Sequence, residues 1–313
     1  MLILHKIFAV LLSFYLNIYI FYLFINHVKE SQITKVFQEE LNKQVISIID
    51  KSKGMDQEVK IVQTNLEKLV LKKPRREKIK LLKEIVGTSL CSKKGIPVPK
   101  IIHSTDDYLI QTCIDGVDLE DLKTSKENFE IIYFQIGRLM KTMHSIKGKN
   151  FGLVNQNQLI GDYNSQKEAI FRWIPSEIER LEKLKYYSQE EIDKIKHYFT
   201  KNLALLATSE SVFLHSDIRD ANIVIKNNKV SGFIDFGDLS VGPAMQDFAF
   251  MYVDHFGDYK FQKLLEGYGE HNFEEIRFYA FCWLCWLVGS KIENKEFDKR
   301  FKRISTLFSE IWR

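Results

Sequence analysis

"FLHSDIRDANIVI", residues 213–225, places a histidine, two aspartates, an arginine and an asparagine between two short apolar runs. His215, Asp217 and Asn222 have the spacing H-x-D-x-x-x-x-N, and "IDFG" with Asp235 follows thirteen residues after Asn222. The apolar runs predict short strands that hold both polar loops at one end of a small sheet. Because two such motifs in this order and context seldom match by chance, we interpret the stretch as an active site rather than a surface turn.

Convergence of these oxygen-bearing side chains suits phosphoryl transfer. That reaction needs magnesium held against nucleotide phosphates by hard oxygen ligands, a carboxylate near the attacking hydroxyl, and a cation on the phosphate chain. Asn222 and Asp235 can supply the oxygen ligands, and Asp217 is placed to accept the proton of the substrate hydroxyl. The expected metal is therefore Mg²⁺, with ATP or GTP as co-substrate.

An antiparallel sheet with one helix is predicted upstream of this motif. Periodic apolar residues predict a helix from Arg75 to about Lys94, after the third strand. Turn residues separate the predicted strands, which are "NKQVISIID" (42–50), "EVKIVQT" (58–64), "EKLVLKK" (67–73), "KIIHST" (100–105) and "YLIQTCI" (108–114). The sheet therefore has five strands, with the helix inserted after the third.

The third strand ends on a lysine that could supply the cation. We predict that Lys72 contacts the nucleotide phosphates, although it stands in a basic run that would more usually form a solvated face. Its predicted carboxylate partner is Glu84 on the following helix, with Glu77 as the alternative.

Beyond "DGVDLEDL" (115–122) the chain becomes mainly helical, with long amphipathic helices predicted at 128–146 and 189–207. We expect an α+β protein with a boundary near Ile114. The predicted parts are an apolar leader (1–40), a small sheet-rich lobe (41–113) and a larger, mainly helical lobe (114–313).

The leader contains an uncharged stretch, Ile7 to Ile25, that is about long enough to cross a bilayer as a helix. Two hypotheses remain open, a membrane anchor and an over-extended gene start. Flanking charges are nearly balanced, so they predict no orientation.

Composition limits the partners. The 313 residues carry 45 Lys and Arg against 41 Asp and Glu, a net charge of +4 that does not indicate a nucleic-acid binder. Cys282 and Cys285 in "FCWLCWL" have redox or zinc spacing, but without further ligands nearby we expect a buried helix core. We predict a cytoplasmic monomer that meets a membrane only if the leader is real.

The segments "HSDIRDANIVI" (215–225) and "GFIDFGDLSVGPAMQDFAF" (232–250) resemble the aminoglycoside phosphotransferase and choline-kinase-like superfamily, nearest to the aminoglycoside 2''-phosphotransferases. The resemblance runs from about residue 45 to the low 270s and implies a two-lobed protein-kinase-like fold. It also implies roles for individual residues. Asp217 would be the catalytic base, His215 and Asp247 would support the catalytic loop, Asn222 and Asp235 would bind magnesium, and Thr112, Cys113 and Ile114 would form the hinge that meets adenine.

One departure concerns the turn "DKSKGMDQE" (50–58), which has the single glycine Gly54 where protein kinases have three. This favours the small-molecule branch of the superfamily over protein kinases.

The segment "QDFAFMYVDHFGDYKF" (246–261) resembles the same region of aminoglycoside 2''-phosphotransferases. By that resemblance Asp254 and Asp258 would face a cationic acceptor, and capping of a surface helix is the alternative. The predicted activity is antibiotic-resistance-type phosphorylation of an aminoglycoside hydroxyl. The alternatives are a kinase for choline, an amino sugar or another hydroxyl metabolite, and a membrane-tethered pseudokinase that binds nucleotide.

Overall fold

The computed structural model describes residues 30–51, 56–155, 157–207 and 210–313. The apolar stretch Ile7–Ile25 and the turn residue Gly54 lie outside these ranges. Within them, no helix has the length and apolar character to cross a bilayer. The described chain clusters into two compact units. The first contains the described residues up to Lys78 together with Ile101–Cys113, and the second contains Ile79–Lys100 and Ile114–Arg313.

A five-stranded antiparallel sheet forms the first unit, as the sequence predicts. Its strands run in the spatial order β1-β2-β3-β5-β4. Apolar side chains alternate along β2 and β3, so Val62, Leu69 and Leu71 are buried on one face. The strands are β1 (Val45–Asp50), β2 (Gln57–Thr64), β3 (Lys68–Pro74), β4 (Ile101–Ser104) and β5 (Leu109–Thr112).

A helix that sequence reasoning missed covers this apolar face. Helix α1 (Glu30–Leu41) places Ile33 and Phe37, both fully buried, in one cluster with Val62 and Ile110. The spacing of four residues puts the two side chains on one helix face. The sequence assigns residues 30–40 to an apolar leader, and the structure differs because these residues belong to the core of the first unit.

Helix α2 (Ile79–Lys93) begins four residues later than predicted and belongs to the second unit, although the sequence groups it with the sheet. Its buried residues include Glu84, Val86 and Gly87. Glu77 precedes the helix and is exposed.

Helices dominate the rest of the second unit. Several begin at a side-chain cap; in α6, for example, Ser188 and Glu191 form a capping box. The helices are α3 (Lys126–Met143), α4 (Gln166–Phe171), α5 (Ile174–Leu184), α6 (Gln189–Lys201), α7 (Phe248–His255), α8 (Tyr259–Tyr268), α9 (Phe273–Glu293) and α10 (Lys299–Trp312). The sequence predicts α3 and α6, but it places both ends of α3 two or three residues too late and extends α6 through a 3₁₀ turn, Leu203–Leu206.

Two small sheets in the second unit carry the polar motifs. One has the order β11-β10-β6 and the other the order β8-β7-β12-β9. Their strands are β6 (Val117–Asp118), β7 (Phe151–Val154), β8 (Gly161–Tyr163), β9 (Val212–Leu214), β10 (Ile223–Lys226), β11 (Lys229–Phe233) and β12 (Ser240–Gly242).

The cysteine pair lies in the core of α9. Cys282 and Cys285 are almost wholly buried among apolar side chains. Burial raises the pKa of both thiols. The predicted helix core is confirmed.

Candidate active site

Strand pairing brings the two polar motifs to one end of the small sheets. In the β10–β11 hairpin Ile223 pairs with Phe233, so the residues just outside this pair, Asn222 and Ile234, are neighbours. The backbone N–H of Ile234 donates to the carbonyl of Asn222 at 3.0 Å. The loop after β9 and the loop after β11 therefore meet, as the sequence predicts. The sequence expects one small sheet to hold both loops, but β9 belongs to a different sheet from β10 and β11.

The Asp217 carboxylate is held by two side chains of its own loop. The side-chain amide of Asn222 donates to Asp217 Oδ2 at 2.7 Å and to the Asp217 carbonyl at 2.9 Å. The guanidinium of Arg219 lies 3.1 Å from the same Oδ2. Asp217 is 9% exposed, and this burial raises its pKa to about 6 despite the opposing effect of Arg219. The result is a carboxylate whose orientation is fixed and whose proton affinity suits a base near neutral pH.

Asp247 supports the backbone of the loop that carries Asp217. Its two carboxylate oxygens accept hydrogen bonds from the backbone N–H groups of His215, at 2.8 Å, and Ser216, at 2.7 Å. Ser216 has a left-handed φ of 66°, which costs conformational energy and needs such support. His144 Nε2 lies 3.3 Å from Asp247. Asp247 thus fixes the backbone just before Asp217.

His215 is fully buried and bridges the two loops. Its Nε2 lies 3.1 Å from the carbonyl oxygen of Ile234, and its ring packs on Phe236 with centroids 4.6 Å apart. These contacts suit the supporting role that the resemblance implies. They do not suit an acid or base that must reach substrate.

Asp235 begins the short 3₁₀ helix Phe236–Asp238 and has a left-handed backbone, φ 69° and ψ 66°. Aspartate tolerates this region better than most residues, and such outliers concentrate at functional sites. The amide oxygen of Asn222 and the carboxylate of Asp235 are hard oxygen ligands of the type Mg²⁺ prefers, so the residues present fit that ion.

Among the residues predicted to bind nucleotide, Lys72 and Glu84 are buried. Lys72 is 5% exposed on β3 of the first unit, whereas neighbouring Lys68 is exposed, so Lys72 does not belong to a solvated face. Glu84 is fully buried on α2 of the second unit, and the alternative, Glu77, is not. These environments favour Glu84 over Glu77, and the pairing of Glu84 with Lys72 stays a prediction.

The predicted hinge residues Thr112, Cys113 and Ile114 are all half-buried. Thr112 ends β5, and the N–H of Cys113 donates to the Lys68 carbonyl at 3.1 Å. Ile114 belongs to the second unit, where it packs against Gly232 so closely that a side chain there would clash. Their contact with adenine stays a prediction.

The two predicted substrate carboxylates have different surroundings. Asp258 caps α8, because its Oδ1 accepts a hydrogen bond from the N–H of Lys260 at 3.0 Å. Asp254 is half-buried at the end of α7, 3.7 Å from the guanidinium of Arg300. Burial raises its pKa. Helix capping thus describes Asp258, and Asp254 is the stronger candidate for acceptor binding.

Sequence reasoning assigned no role to four residues near the catalytic loop. Arg219 and Asp220 lie inside the opening motif, so their position was a signal that could have been used. Tyr133 on α3 and His255 at the end of α7 contact Asp220 from distant parts of the chain. No local sequence pattern marks these two residues, since only the fold brings them together.

Comparisons with known proteins bear on the fold of the chain. A model of the phosphotransferase enzyme family matches residues 50–282. No match to a curated protein was found. The streptomycin-ATP-APH(2'')-IIa ternary complex is 21% identical, with a TM-score of 0.66 over 91% of this chain and 99% of that one.

Two further solved structures have the same architecture. ADP-bound aminoglycoside phosphotransferase APH(2'')-Ib is 21% identical, with a TM-score of 0.66 over 91% of this chain and 99% of that one. A thermostable mutant of aminoglycoside phosphotransferase APH(4)-Ia, in complex with AMP-PNP and hygromycin B, is 14% identical, with a TM-score of 0.68 over 90% of this chain and 98% of that one. At these identities the likeness establishes the protein-kinase-like fold.

Proposed function

Since the chain belongs to the phosphotransferase enzyme family, we propose that it transfers the γ-phosphate of ATP or GTP to a hydroxyl group of an aminoglycoside. Membership makes the protein a small-molecule kinase with a hydroxyl acceptor, and the identity of the acceptor and nucleotide is the proposal. The observation that carries it is the buried carboxylate of Asp217, held by Asn222 beside the cation of Arg219.

In the proposed reaction Asp217 accepts the proton of the acceptor hydroxyl as the oxygen attacks the γ-phosphorus. The bond from the γ-phosphorus to the β–γ bridging oxygen breaks, and ADP or GDP leaves. The Asn222 amide keeps the carboxylate oriented, so little reorganisation is needed at the moment of transfer. Arg219 places a planar cation beside the base, where charge on the transferred group develops. Asn222 and Asp235 would hold Mg²⁺, which neutralises phosphate charge when bound.

The nucleotide-binding residues are assigned as the sequence predicts them. We assign Lys72 to the phosphate chain, with Glu84 as its partner, and the backbone of 112–114 to adenine. The burial of Lys72 supports this assignment, because a lysine of a solvated basic run would be exposed. The nucleotides in the similar structures, ATP, ADP and AMP-PNP, further support a nucleotide co-substrate.

The acceptor is proposed to be cationic. Streptomycin and hygromycin B in the similar structures support an aminoglycoside. A carboxylate near the base would bind an ammonium group through charge-assisted hydrogen bonds of about 1.5–3 kcal/mol each. Asp254 is the residue we assign to this contact, and Asp258 is a weaker candidate because it caps α8.

A substrate panel tests this proposal directly. Purified protein with Mg²⁺ and either ATP or GTP is offered aminoglycosides, choline, amino sugars and neutral polyols, and phosphorylated product is measured by mass spectrometry. We expect product with at least one aminoglycoside. If product forms only with neutral or anionic acceptors, the proposal of a cationic acceptor is refuted, but the assignment as a kinase stands. Nucleotide binding with no product from any acceptor would favour a pseudokinase.

The assignment of Asp254 has its own test. Asp254→Asn should raise KM for an aminoglycoside by roughly tenfold, the loss of one charged contact, and leave KM for nucleotide unchanged. Asp193→Asn, exposed on α6, is the matched control, with an expected change in acceptor KM of less than about twofold. Equal KM values for wild type and Asp254→Asn would remove Asp254 from the acceptor site.

A further inference from the structure

A buried polar cluster contacts the catalytic loop from two helices, and the proposed chemistry does not use it. The hydroxyl of Tyr133, on α3, donates to Asp220 Oδ2 at 2.7 Å. His255 Nε2, at the end of α7, lies 3.1 Å from Asp220 Oδ1 and 3.1 Å from the Tyr133 hydroxyl. We call these three residues the Asp220 clamp. Since a carboxylate only accepts, a proton on His255 Nε2 completes a second hydrogen bond to Asp220.

The burial of Tyr133 and His255 makes these contacts energetically important. Tyr133 is fully buried, and His255 is 8% exposed. Their rings meet edge to face, with centroids 5.1 Å apart and planes inclined at 76°. Burial and the neighbouring Asp220 carboxylate hold the pKa of the Tyr133 hydroxyl far above its usual range, so it remains a donor. The Asp220 carboxylate is half-buried, with 19% of its side chain exposed, and the fixed donors replace part of the solvation that it loses.

The two residues that contact Asp220 from the helices, His255 and Tyr133, are themselves held in place. The guanidinium of Arg303, on α10, donates to the Val253 carbonyl at 3.3 Å and to the Asp254 carbonyl, which fixes the last turn of α7 next to His255. On the other side the ammonium of Lys260 lies over the Tyr133 ring, 5.6 Å from its centroid. These contacts and the burial of both rings restrict movement of His255 and Tyr133.

Asp220 lies in the catalytic loop close to Asn222, the residue that orients Asp217. Asp220 is the first residue of the short 3₁₀ turn Asp220–Asn222, in which the N–H of Asn222 donates to the Arg219 carbonyl at 2.9 Å. Asn222 in turn holds the Asp217 carboxylate. A rotation at Asp220 would therefore move the amide that orients Asp217. Such a displacement need be only about 1 Å to matter, since misplacements of that size can cost a hundredfold in rate.

We propose that Tyr133 and His255 are positioning residues, which hold the catalytic loop through Asp220 so that Asn222 keeps Asp217 oriented for transfer. The inference rests on the proposed function for its kinetic consequence. A simpler hypothesis is that the cluster only satisfies buried polar groups and adds stability. The two differ in what happens to turnover of the folded enzyme.

The test compares kcat, KM and melting temperature for His255→Leu, His255→Gln and Asp220→Ala, with the double variant of Asp220→Ala and His255→Leu. We expect His255→Leu to lower kcat tenfold or more and to change KM for nucleotide less than threefold. His255→Gln should recover most of kcat, because its side-chain amide can donate to Asp220. His197→Leu, on an exposed face of α6, is the control and should match wild type.

The double variant decides whether His255 acts through Asp220. In the Asp220→Ala background, His255→Leu should lower kcat less than twofold further, since its partner is already absent. Independent, multiplicative losses of kcat would overturn the proposal. So would a lower melting temperature in His255→Leu with unchanged kcat per folded molecule, which is the result that the stability hypothesis predicts.

Hydrogen exchange separates failure of the clamp from failure of the proposed function. Backbone amides of residues 216–222 should exchange faster in His255→Leu than in wild type, whether or not an acceptor is known. If the wild-type protein phosphorylates no acceptor but these amides exchange faster in His255→Leu, the proposed function is refuted and the clamp stands. Unchanged exchange of these amides in His255→Leu would overturn the clamp alone.

Discussion

The environment of Asp217 separates two roles for carboxylates that lie near each other. Asp217 is held by an amide and a guanidinium, whereas Asp235 starts a short helix in a left-handed backbone. The first arrangement suits proton acceptance, and the second suits an oxygen ligand to a metal.

Substitution should therefore affect the two aspartates differently. Asp217→Ala is expected to lower kcat by about 10²–10⁴ and to leave nucleotide affinity within a few-fold, because it contacts the acceptor. Asp235→Ala should weaken binding of magnesium-nucleotide tenfold or more. Titration calorimetry measures the affinity for magnesium-nucleotide, and steady-state kinetics measure kcat. The exposed Asp193→Ala is the control. Near-normal turnover by Asp217→Ala would contradict its role as base.

The raised pKa of Asp217 predicts the pH dependence. The base must be ionised to accept a proton, and its pKa is about 6, so kcat/KM should fall as the pH drops below about 6 and level off above it. Arg219 lowers this pKa, so Arg219→Gln should move the midpoint to higher pH. Rates from pH 5 to 8 test this, with the exposed Arg172→Gln as control. If Arg219→Gln leaves the midpoint unchanged, the loss of activity at low pH cannot be assigned to Asp217.

At this scale the sequence could predict the residues whose chemistry depends on local spacing. Asp217, Asn222 and Asp235 lie at fixed distances along one stretch. The pairing of β10 with β11 brings the segments of Asn222 and Asp235 together, and the Asn222 amide contacts Asp217 within its own loop. Arg219 lies in the same stretch but has no such signature. Tyr133 and His255 reach Asp220 only after α3 and α7 have packed, and no single segment encodes that contact.

Among the elements, α2 carries a glycine that the site depends on. A Cβ on Gly87 would lie 2.7 Å from Phe236 Cβ and 2.8 Å from its Cγ. Phe236 is fully buried and follows Asp235 directly. The absence of a side chain at Gly87 lets α2 approach the loop that presents Asp235.

Gly87→Ala should accordingly destabilise the protein, although alanine favours helix by up to about 1 kcal/mol. Overpacking against Phe236 is expected to cost about 1–3 kcal/mol, and the displaced loop should weaken magnesium-nucleotide binding. Urea denaturation and nucleotide titration measure the two effects. Ser92→Ala, on an exposed turn of the same helix, is the control. A more stable Gly87→Ala variant with intact affinity would show that the loop adjusts freely.

Elements with strong periodicity or an uninterrupted apolar run were predictable. Alternation and turn residues marked the five-stranded sheet, and long amphipathic repeats marked α3 and α6. The strands β6, β7 and β8 have two to four residues, and their mixed sequences lack the uninterrupted apolar runs that marked the equally short β9 and β10. Helix α1 was missed because it directly follows a longer apolar stretch, which hid its own pattern of Ile33 and Phe37.

At the scale of the whole molecule, the two units have separate apolar clusters. The first unit buries Ile33, Phe37, Val62, Leu69, Leu71 and Ile110, and the large cluster of the second unit draws on its helices and small sheets. A small core depends strongly on each member, because few other side chains can replace the contacts of a lost one. Phe37 is the largest of the six.

Phe37→Ala tests whether the core of the first unit depends on α1. The substitution should cost about 3–5 kcal/mol locally, the usual effect of removing a buried phenylalanine ring. Amides of β2, β3 and β5 should then exchange with solvent much faster, while amides of α3 and α9 keep the protection they have in wild type. Gln38→Ala, exposed on the same helix, should change neither set. Unchanged exchange in the sheet would show that α1 contributes little to it, and equal acceleration in both units would show that the two clusters unfold together.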